Sequence, residues 1–139
     1  MNLVQINGNR SAAGFAAISQ VAGIAETRTA LRRELMALRN AGKTVAAYGA
    51  SAKGSTLMMA CGIRGDELQF VADRSPHKQG RYTPGNHVPI VAPDEILRRQ
   101  PDVLLLLTWN FADEILAQQA EYRRRGGRFL VPVPEVRYL

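Results

Sequence analysis

Apolar residues recur at helical spacing along the first part of the chain. Residues 11–40 contain no proline and are rich in Ala, Leu, Arg and Glu. Apolar side chains return there every three, four or seven positions, which predicts one long helix over 11–40, with Gly23 as a candidate interruption. The apolar stripe of this helix consists of Ile18, Val21, Ile24, Ala25, Leu31, Leu35 and Leu38. The stripe either covers a sheet or promotes self-association. The helix ends at Asn40-Ala41-Gly42, where the residues tolerate a left-handed backbone. Residues 1–10 show no clear period and are predicted to be a flexible leader.

Short apolar runs alternate with helical segments over the rest of the chain. The runs predict five strands, at 44–48, 68–72, 88–91, 103–107 and 128–131. Helices are predicted between them at 53–61, 93–99 and 113–125. Because such alternation is typical of parallel strands joined by right-handed crossovers, we expect an α/β fold. Residues 11–139 are predicted to form one small Rossmann-like domain, a mostly parallel five-stranded sheet flanked by helices.

Composition narrows the class of protein. The chain has 139 residues, 18 Lys and Arg against 12 Asp and Glu, two His and one Cys. The lone Cys61 cannot form an internal disulfide, and no apolar run approaches the roughly 20 residues of a membrane span. We therefore expect a cytoplasmic protein without membrane contact and, because His and Cys are few and unclustered, without a metal site.

The net charge of +6 favours phosphorylated ligands. No aromatic residues alternate with the arginines, so nucleic acid is not an expected partner.

The first predicted strand runs into a turn of small residues that opens a helix. The turn reads Gly49-Ala50-Ser51-Ala52-Lys53-Gly54-Ser55. It matches the dinucleotide fingerprint only in part, because Ser51 stands where the middle glycine belongs. It also departs from a phosphate-binding loop, because Lys53 precedes the second glycine. Gly49 and Gly54 allow a tight turn and close helix packing. By itself the turn is equally consistent with a structural corner and with a ligand cradle.

Unusual residues gather at three predicted strand exits, at 49–53, 73–87 and 108–113. In parallel sheets, ligands bind beyond the carboxyl ends of the strands. The middle segment is too long and too rich in hydrogen-bond donors to be a mere connection. The sequence therefore predicts a binding cleft at this edge of the sheet.

Four motifs follow one another along the chain. They are Tyr48-Gly49-Ala50-Ser51-Ala52-Lys53-Gly54, Lys78-Gln79-Gly80 with Thr83-Pro84-Gly85, Thr108-Trp109-Asn110-Phe111 with Glu114-Ile115, and Val131-Pro132-Val133-Pro134-Glu135. Together and in this order they resemble the C-terminal domain of S-adenosylmethionine-dependent sugar C-methyltransferases, the nucleotide-deoxysugar C-methyltransferase family. The resemblance extends over residues 15–136.

The resemblance implies methylation of a carbon of a nucleotide-linked deoxy-keto-sugar, through an enolate formed beside the carbonyl. Family enzymes carry an N-terminal zinc-binding domain and a central methyltransferase domain, and we expect both to be absent from this chain. Zinc and S-adenosylmethionine are then expected in those domains, with no cofactor and no catalytic residue in this one. The chain should not be active alone. Its expected partners are a nucleotide-diphosphate sugar, which the resemblance suggests is thymidine-linked, the methyltransferase domain and a second copy in a weak homodimer.

Each predicted binding residue also has an ordinary structural role. Backbone amides at 50–52, two hydroxyls and the Lys53 ammonium would cradle a diphosphate at a helix N-terminus, or form a packed corner. Asp73 would take ribose hydroxyls or anchor its loop, and Trp109 would line the cleft or plug it. The predicted substrate-binding set is Gly49, Ala50, Ser51, Ala52, Lys53, Ser55, Asp73, Lys78, Arg81, Tyr82, His87, Trp109 and Asn110. Glu114 is predicted to be a carboxylate in the first turn of a helix.

Two alternatives stay open. The first is a stand-alone binding domain for a dinucleotide or coenzyme A, which the fold alone allows and Ser51 disfavours. The second is a purely structural module, in which the helix stripe and the loops pack against other domains.

Overall fold

A computed structural model of the protein describes residues 23–139. The helices are α1 (Ile24–Asn40), α2 (Ala52–Ala60), α3 (Glu95–Arg99), α4 (Ala112–Gln118) and α5 (Ala120–Arg124), with a 3-10 turn at Trp109–Phe111. The strands are β1 (Val45–Tyr48), β2 (Val71–Ala72), β3 (Ile90–Val91), β4 (Val103–Leu106), β5 (Arg128–Val131) and β6 (Arg137–Tyr138). No helix in this range is long and apolar enough to cross a membrane.

The strands form one sheet in the order β3-β2-β1-β4-β5-β6. The first five are parallel, and β6 is antiparallel to β5. This confirms the mostly parallel, Rossmann-like α/β fold. The prediction of five strands was wrong by one, because the two residues of β6 are too few to show an alternating pattern. The strand order reverses direction between β1 and β4, which creates a topological switch point at their carboxyl ends.

Both faces of the sheet are buried under helices. Neighbouring residues of a strand point to opposite faces, so Val45 and Ala47 face α1 and α2, whereas Ala46 and Tyr48 face α3, α4 and α5. All four residues of β1 are buried. Burial on both sides explains why the central strands read as continuous apolar runs.

Helix α1 covers the sheet. Leu31, Leu35 and Leu38 are buried, and Ile24 packs against the same cluster. Ala25 is exposed, which corrects its place in the stripe. The helix begins at Ile24, because Gly23 has φ of 76° and is not helical, so the helix predicted over 11–40 is interrupted at Gly23. Ile18, Val21 and the leader over 1–10 lie outside the described residues. Since the leucines cover the sheet, the weak homodimer stays a prediction that needs other contacts.

The predicted helix over 113–125 is in fact two helices with a break at Gln119. Tertiary contacts hold the second helix separately. The Tyr122 hydroxyl donates to the Pro101 carbonyl oxygen at 2.8 Å, and its ring meets Phe129 edge to face at 5.4 Å. Such contacts override local helix propensity, which gives no sign of a break at a glutamine.

Candidate functional site

The switch point brings together the chain segments that leave β1 and β4. Gly49 follows β1 with φ of 101°, and a Cβ atom at this position would lie 2.5 Å from Thr108 Cγ2. A Cβ atom at Gly54 would lie 2.8 Å from Leu107 Cβ. Glycine is therefore required for the turn at the first position and for close packing of α2 at the second. The tight turn predicted at Gly49 and the close helix packing predicted at Gly54 are both confirmed.

The turn after β1 is capped by its own serine. Ser51 precedes α2, and its hydroxyl accepts a hydrogen bond from the Gly54 N–H at 3.0 Å. The N–H groups of Ala52 and Lys53 lie in the first turn of α2, where a helix offers no acceptor of its own. The Ser55 N–H donates to the Ser51 carbonyl oxygen. The N-terminus of α2 can thus present Ala52, Lys53 and the Ser51 hydroxyl proton to an anion.

Asp73 ties the exit of β2 to the exit of β1. One carboxylate oxygen accepts from the Ala50 N–H at 2.8 Å, and the other accepts from the Ser75 N–H at 2.8 Å. The Asp73 carbonyl oxygen accepts from Gln79 Nε2 at 2.8 Å. These bonds anchor the loop, and they take the Ala50 amide out of the predicted cradle. A contact of Asp73 with ribose stays a prediction that uses its remaining lone pairs.

The same loop returns to the turn through a lysine. Lys78 Nζ donates to the Ala50 carbonyl oxygen at 2.8 Å, with its side chain otherwise exposed. Both backbone groups of Ala50 are therefore held by the loop after β2. This places a second ammonium group beside the turn that carries Lys53.

Trp109 connects the third exit to the first. Lys53 Nζ lies 5.1 Å from the centre of the indole ring, within the range of a cation–π contact. The ring is partly buried and packs against the core clusters on both faces of the sheet. Trp109 is thus a packing residue beside the turn, and its predicted role as a wall of the cleft stays a prediction. Asn110 is exposed beside it.

Residues 82–87, in the second half of the loop after β2, lie away from the turn before α2. The rings of Tyr82 and His87 are stacked with centroids 4.0 Å apart. Asn86 donates to the Ile63 carbonyl oxygen at 3.2 Å, just beyond the C-terminal end of α2. Because α2 spans nine residues, its ends are about 13 Å apart. These contacts hold Tyr82 and His87 away from the turn. Arg81 lies between the two halves of the loop, because its backbone is bonded to Lys78 and Ile90. The binding role of all three residues stays a prediction.

A cavity of about 240 Å³ opens beside the switch point, on the face that α4 covers. It is lined by Tyr48, Arg74, Thr108, Phe111, Glu114, Ile115 and Gln118. Glu114 lies in the first turn of α4, as predicted. Tyr48, Arg74 and Gln118 were missed as site residues. A tyrosine that ends a strand of small and aliphatic residues was the available signal, because a buried hydroxyl needs a partner.

Tyr48 carries an unsatisfied polar group. Its side chain is 6% exposed, and its buried hydroxyl has no hydrogen-bond partner among the described residues. Burial raises the pKa of Tyr48, and the positive charge of Arg74 only partly opposes that rise. The hydroxyl therefore stays protonated at neutral pH, and its oxygen is shielded from solvent.

The polar residues of the site do not form a metal centre. Within residues 23–139, no group of three or more His, Cys, Asp or Glu side chains is arranged to hold a metal ion. The chemistry that the cleft offers is anion binding by amides and ammonium groups, next to a cavity with mixed polar and aromatic walls.

Comparison with known proteins agrees with the motifs at the strand exits. The family described as C-methyltransferase C-terminal domain matches residues 9–134, a range that includes the cleft and the cavity. The C-methyltransferase NovU of Streptomyces niveus is 47% identical over 98 residues, which are 70% of this chain and 23% of NovU. The chain thus spans about a quarter of the length of this relative. It belongs to the family of C-methyltransferase C-terminal domains.

Proposed function

We propose that this chain is the nucleotide-sugar-binding domain of an S-adenosylmethionine-dependent C-methyltransferase that acts on a nucleotide-linked deoxy-keto-sugar. The observation that carries the proposal is the convergence of three strand exits at the switch point. Gly49 contacts Thr108, Ala50 is bonded to Asp73, and Lys53 lies over Trp109. An open α/β sheet binds its ligands at such a place.

The electrostatics of this cleft suit a diphosphate. The N-terminus of α2 carries a partial positive charge from the helix dipole and has unpaired N–H groups. The ammonium groups of Lys53 and Lys78 flank the same turn. The excess of basic residues in the chain, with a net charge of +6, would attract a dianion from a distance.

Binding at this cleft would serve catalysis by orientation. Methyl transfer to carbon requires removal of a proton beside the sugar carbonyl and a close approach of the methyl donor. Binding energy from the remote nucleotide can be used to hold the sugar carbon in that position. The base, the methyl donor S-adenosylmethionine and the zinc ion are assigned to other domains of the enzyme, with which this domain would pack, and none of the described residues is assigned as the base.

Fluorescence titration tests the proposal, because Trp109 is the single tryptophan of the chain. We expect a thymidine-diphosphate sugar to change its emission. The Lys53→Ala variant should weaken binding about tenfold or more, as expected for loss of a charge-assisted contact. Lys43→Ala is the matched control, because Lys43 is an exposed lysine just before β1. It lies at the amino end of this strand, whereas the turn with Lys53 follows the carboxyl end.

The outcomes separate the alternatives. Tight binding of nicotinamide dinucleotide or coenzyme A without a response to nucleotide sugars would indicate a stand-alone dinucleotide-type domain. No response to any of these ligands would indicate a structural module. Equal losses in the Lys53 and Lys43 variants would contradict the assigned position of the diphosphate.

A further inference from the structure

The first half of the loop after β2 is closed at its base. Its two ends are bonded to carbonyl oxygens of β3, by the Asp73 N–H at 3.0 Å and by the Gly80 N–H at 2.9 Å. Residues 74–80, the basic loop, lie between these two points and extend beyond the carboxyl ends of the strands.

Hydrogen bonds inside the basic loop hold its shape. The Ser75 carbonyl oxygen accepts from the Lys78 N–H at 3.1 Å and from the Gln79 N–H at 3.3 Å. The Gln79 side chain donates to the Asp73 carbonyl oxygen at 2.8 Å. Because these bonds close the loop on itself, it can move as one body about its two ends.

Little else fastens the basic loop to the domain. No residue from 73 to 82 is buried, and none belongs to either core cluster. Among the hydrogen bonds of the described residues, only the one from Lys78 Nζ to the Ala50 carbonyl oxygen joins residues 74–79 to a part of the chain outside 73–81. Segments with so few buried contacts open at a low cost in free energy.

Gly80 provides a hinge at one end of the basic loop. Its φ of 85° lies in the left-handed region, and a Cβ atom there would meet no atom of the described residues within 4 Å. The backbone at this point therefore has room to rotate. Asp73 holds the other end, because its carboxylate accepts from the Ala50 N–H.

The basic loop carries positive charge that the described part of the chain does not neutralise. Arg74 and Lys78 are exposed, and neither forms an ion pair with a carboxylate of residues 23–139. Lys78 Nζ bonds instead to a neutral carbonyl oxygen. A phosphate oxygen is a stronger acceptor for an ammonium group, because both partners are then ionised.

The bond of Lys78 places this charge beside the proposed diphosphate site. Its acceptor, Ala50, lies two residues before Ala52, the first residue of α2. Two residues of extended chain span at most about 7 Å. A rotation of the loop, together with the flexible lysine side chain, covers such a distance.

We propose that the basic loop is a lid over the diphosphate site and that Lys78 is its latch. When a diphosphate binds, the Lys78 ammonium exchanges the Ala50 carbonyl oxygen for a phosphate oxygen. The loop follows, pivoting about Asp73 and Gly80 and carrying the charge of Arg74 with it. The inference rests on the proposed function, because it assigns a closing motion to the same site.

Hydrogen exchange of the 139-residue chain, with and without inorganic diphosphate, tests the lid. We expect diphosphate to slow the exchange of the amides of residues 74–80 about tenfold, because the closed loop opens less often. Residues 82–87 are the internal control. Thr83 and Asn86 hold them through separate hydrogen bonds, so their exchange should not change.

Lys78→Met removes the ammonium group and keeps an unbranched side chain. It should lower the affinity for inorganic diphosphate about tenfold or more, the usual worth of a charge-assisted hydrogen bond, and abolish the slowing of exchange at 74–80. Lys78→Arg, which keeps a charged donor, should retain most of both effects. Lys43→Met is the matched control, because it removes the same charge at an exposed lysine before the amino end of β1.

Three results would overturn the inference. If diphosphate binds but leaves the exchange of residues 74–80 unchanged, the loop is not a lid, and the diphosphate site of the proposed function stands. If Lys78→Met loses no more affinity than Lys43→Met, Lys78 is not the latch. If the unmodified chain does not bind diphosphate, the lid and the proposed diphosphate site fail together.

Discussion

The Ala50 N–H donates a hydrogen bond to the Asp73 carboxylate at 2.8 Å and so joins the exits of two neighbouring strands. Asp73 holds the following loop as well, through the Ser75 N–H. This one side chain therefore fixes both the turn before α2 and the segment that carries Lys78 and Arg74. The geometry of the cleft depends on it.

Replacing Asp73 by alanine should destabilise the protein. The substitution leaves two N–H donors without their charged acceptor, and we expect a loss of about 1–3 kcal/mol in the free energy of unfolding. Denaturation by urea measures it. Asp94→Ala, at an exposed aspartate just before α3, is the control. A loss no larger than that of the control would contradict the anchoring role.

Gly49→Ala should be costly for two separable reasons. The residue has φ of 101°, and the new Cβ atom would lie 2.5 Å from Thr108 Cγ2. We expect a loss of about 1–3 kcal/mol in the free energy of unfolding. Gly42→Ala isolates the backbone term, because Gly42 has φ of 73° and its Cβ atom would meet nothing within 4 Å among the described residues.

Thr108 supplies the second part of the same test. In the double variant Gly49→Ala with Thr108→Ala, the clashing methyl and hydroxyl groups are removed, so part of the stability should return. If Gly49→Ala costs no more free energy of unfolding than Gly42→Ala, the close approach of Thr108 does not restrict residue 49 to glycine.

Glu67 should make stability depend on pH in the acidic range. Burial alone would raise the pKa of Glu67, but hydrogen bonds from the Arg32 guanidinium, at 2.8 Å, and from the Arg64 N–H outweigh burial and lower it. Because the pKa in the folded state lies below the unfolded value of about 4.3, the unfolded state binds more protons in this range. The stabilisation is therefore complete above that pH and is lost as the pH falls through the folded pKa.

Urea unfolding at several pH values between neutral and acidic measures this dependence. Glu67→Gln should be less stable at neutral pH and should lose less stability on acidification. Glu95→Gln is the control, since Glu95 pairs with the largely exposed Arg98. Identical acid profiles for the Glu67 variant and the unmodified protein would exclude the proposed linkage.

Tyr122→Phe should destabilise the protein, whereas Tyr48→Phe should keep or raise its melting temperature, because no described residue is bonded to the buried Tyr48 hydroxyl. The Tyr122 hydroxyl is buried and donates to the Pro101 carbonyl oxygen at 2.8 Å. Its removal leaves that acceptor without this donor, and we expect a loss of about 1–2 kcal/mol in the free energy of unfolding. Thermal unfolding of the two variants side by side gives the comparison. A similar loss in both would mean that the Tyr48 hydroxyl is satisfied in the folded protein.

Much of the fold could be predicted because burial on both faces forces continuous apolar runs at β1 and β4. Helix α1 was predictable from the spacing of Leu31, Leu35 and Leu38. Strand β6 and the break at Gln119 could not be predicted from the sequence pattern. A strand of two residues shows no period, and the break depends on contacts of Tyr122 with segments distant in sequence.

The sequence by itself determined that three segments leave the strands together, because parallel strands bring their carboxyl ends to one edge of the sheet, and it predicted a site there from residues 49–53, 73–87 and 108–113. Only the tertiary structure separated the two halves of the long loop, with Lys78 on Ala50 and the stacked Tyr82 and His87 linked to residues near the far end of α2. It alone also showed the cavity below Tyr48. Whether a buried hydroxyl finds a partner depends on which helices cover that face of the sheet and on how closely they pack, and no local pattern encodes that.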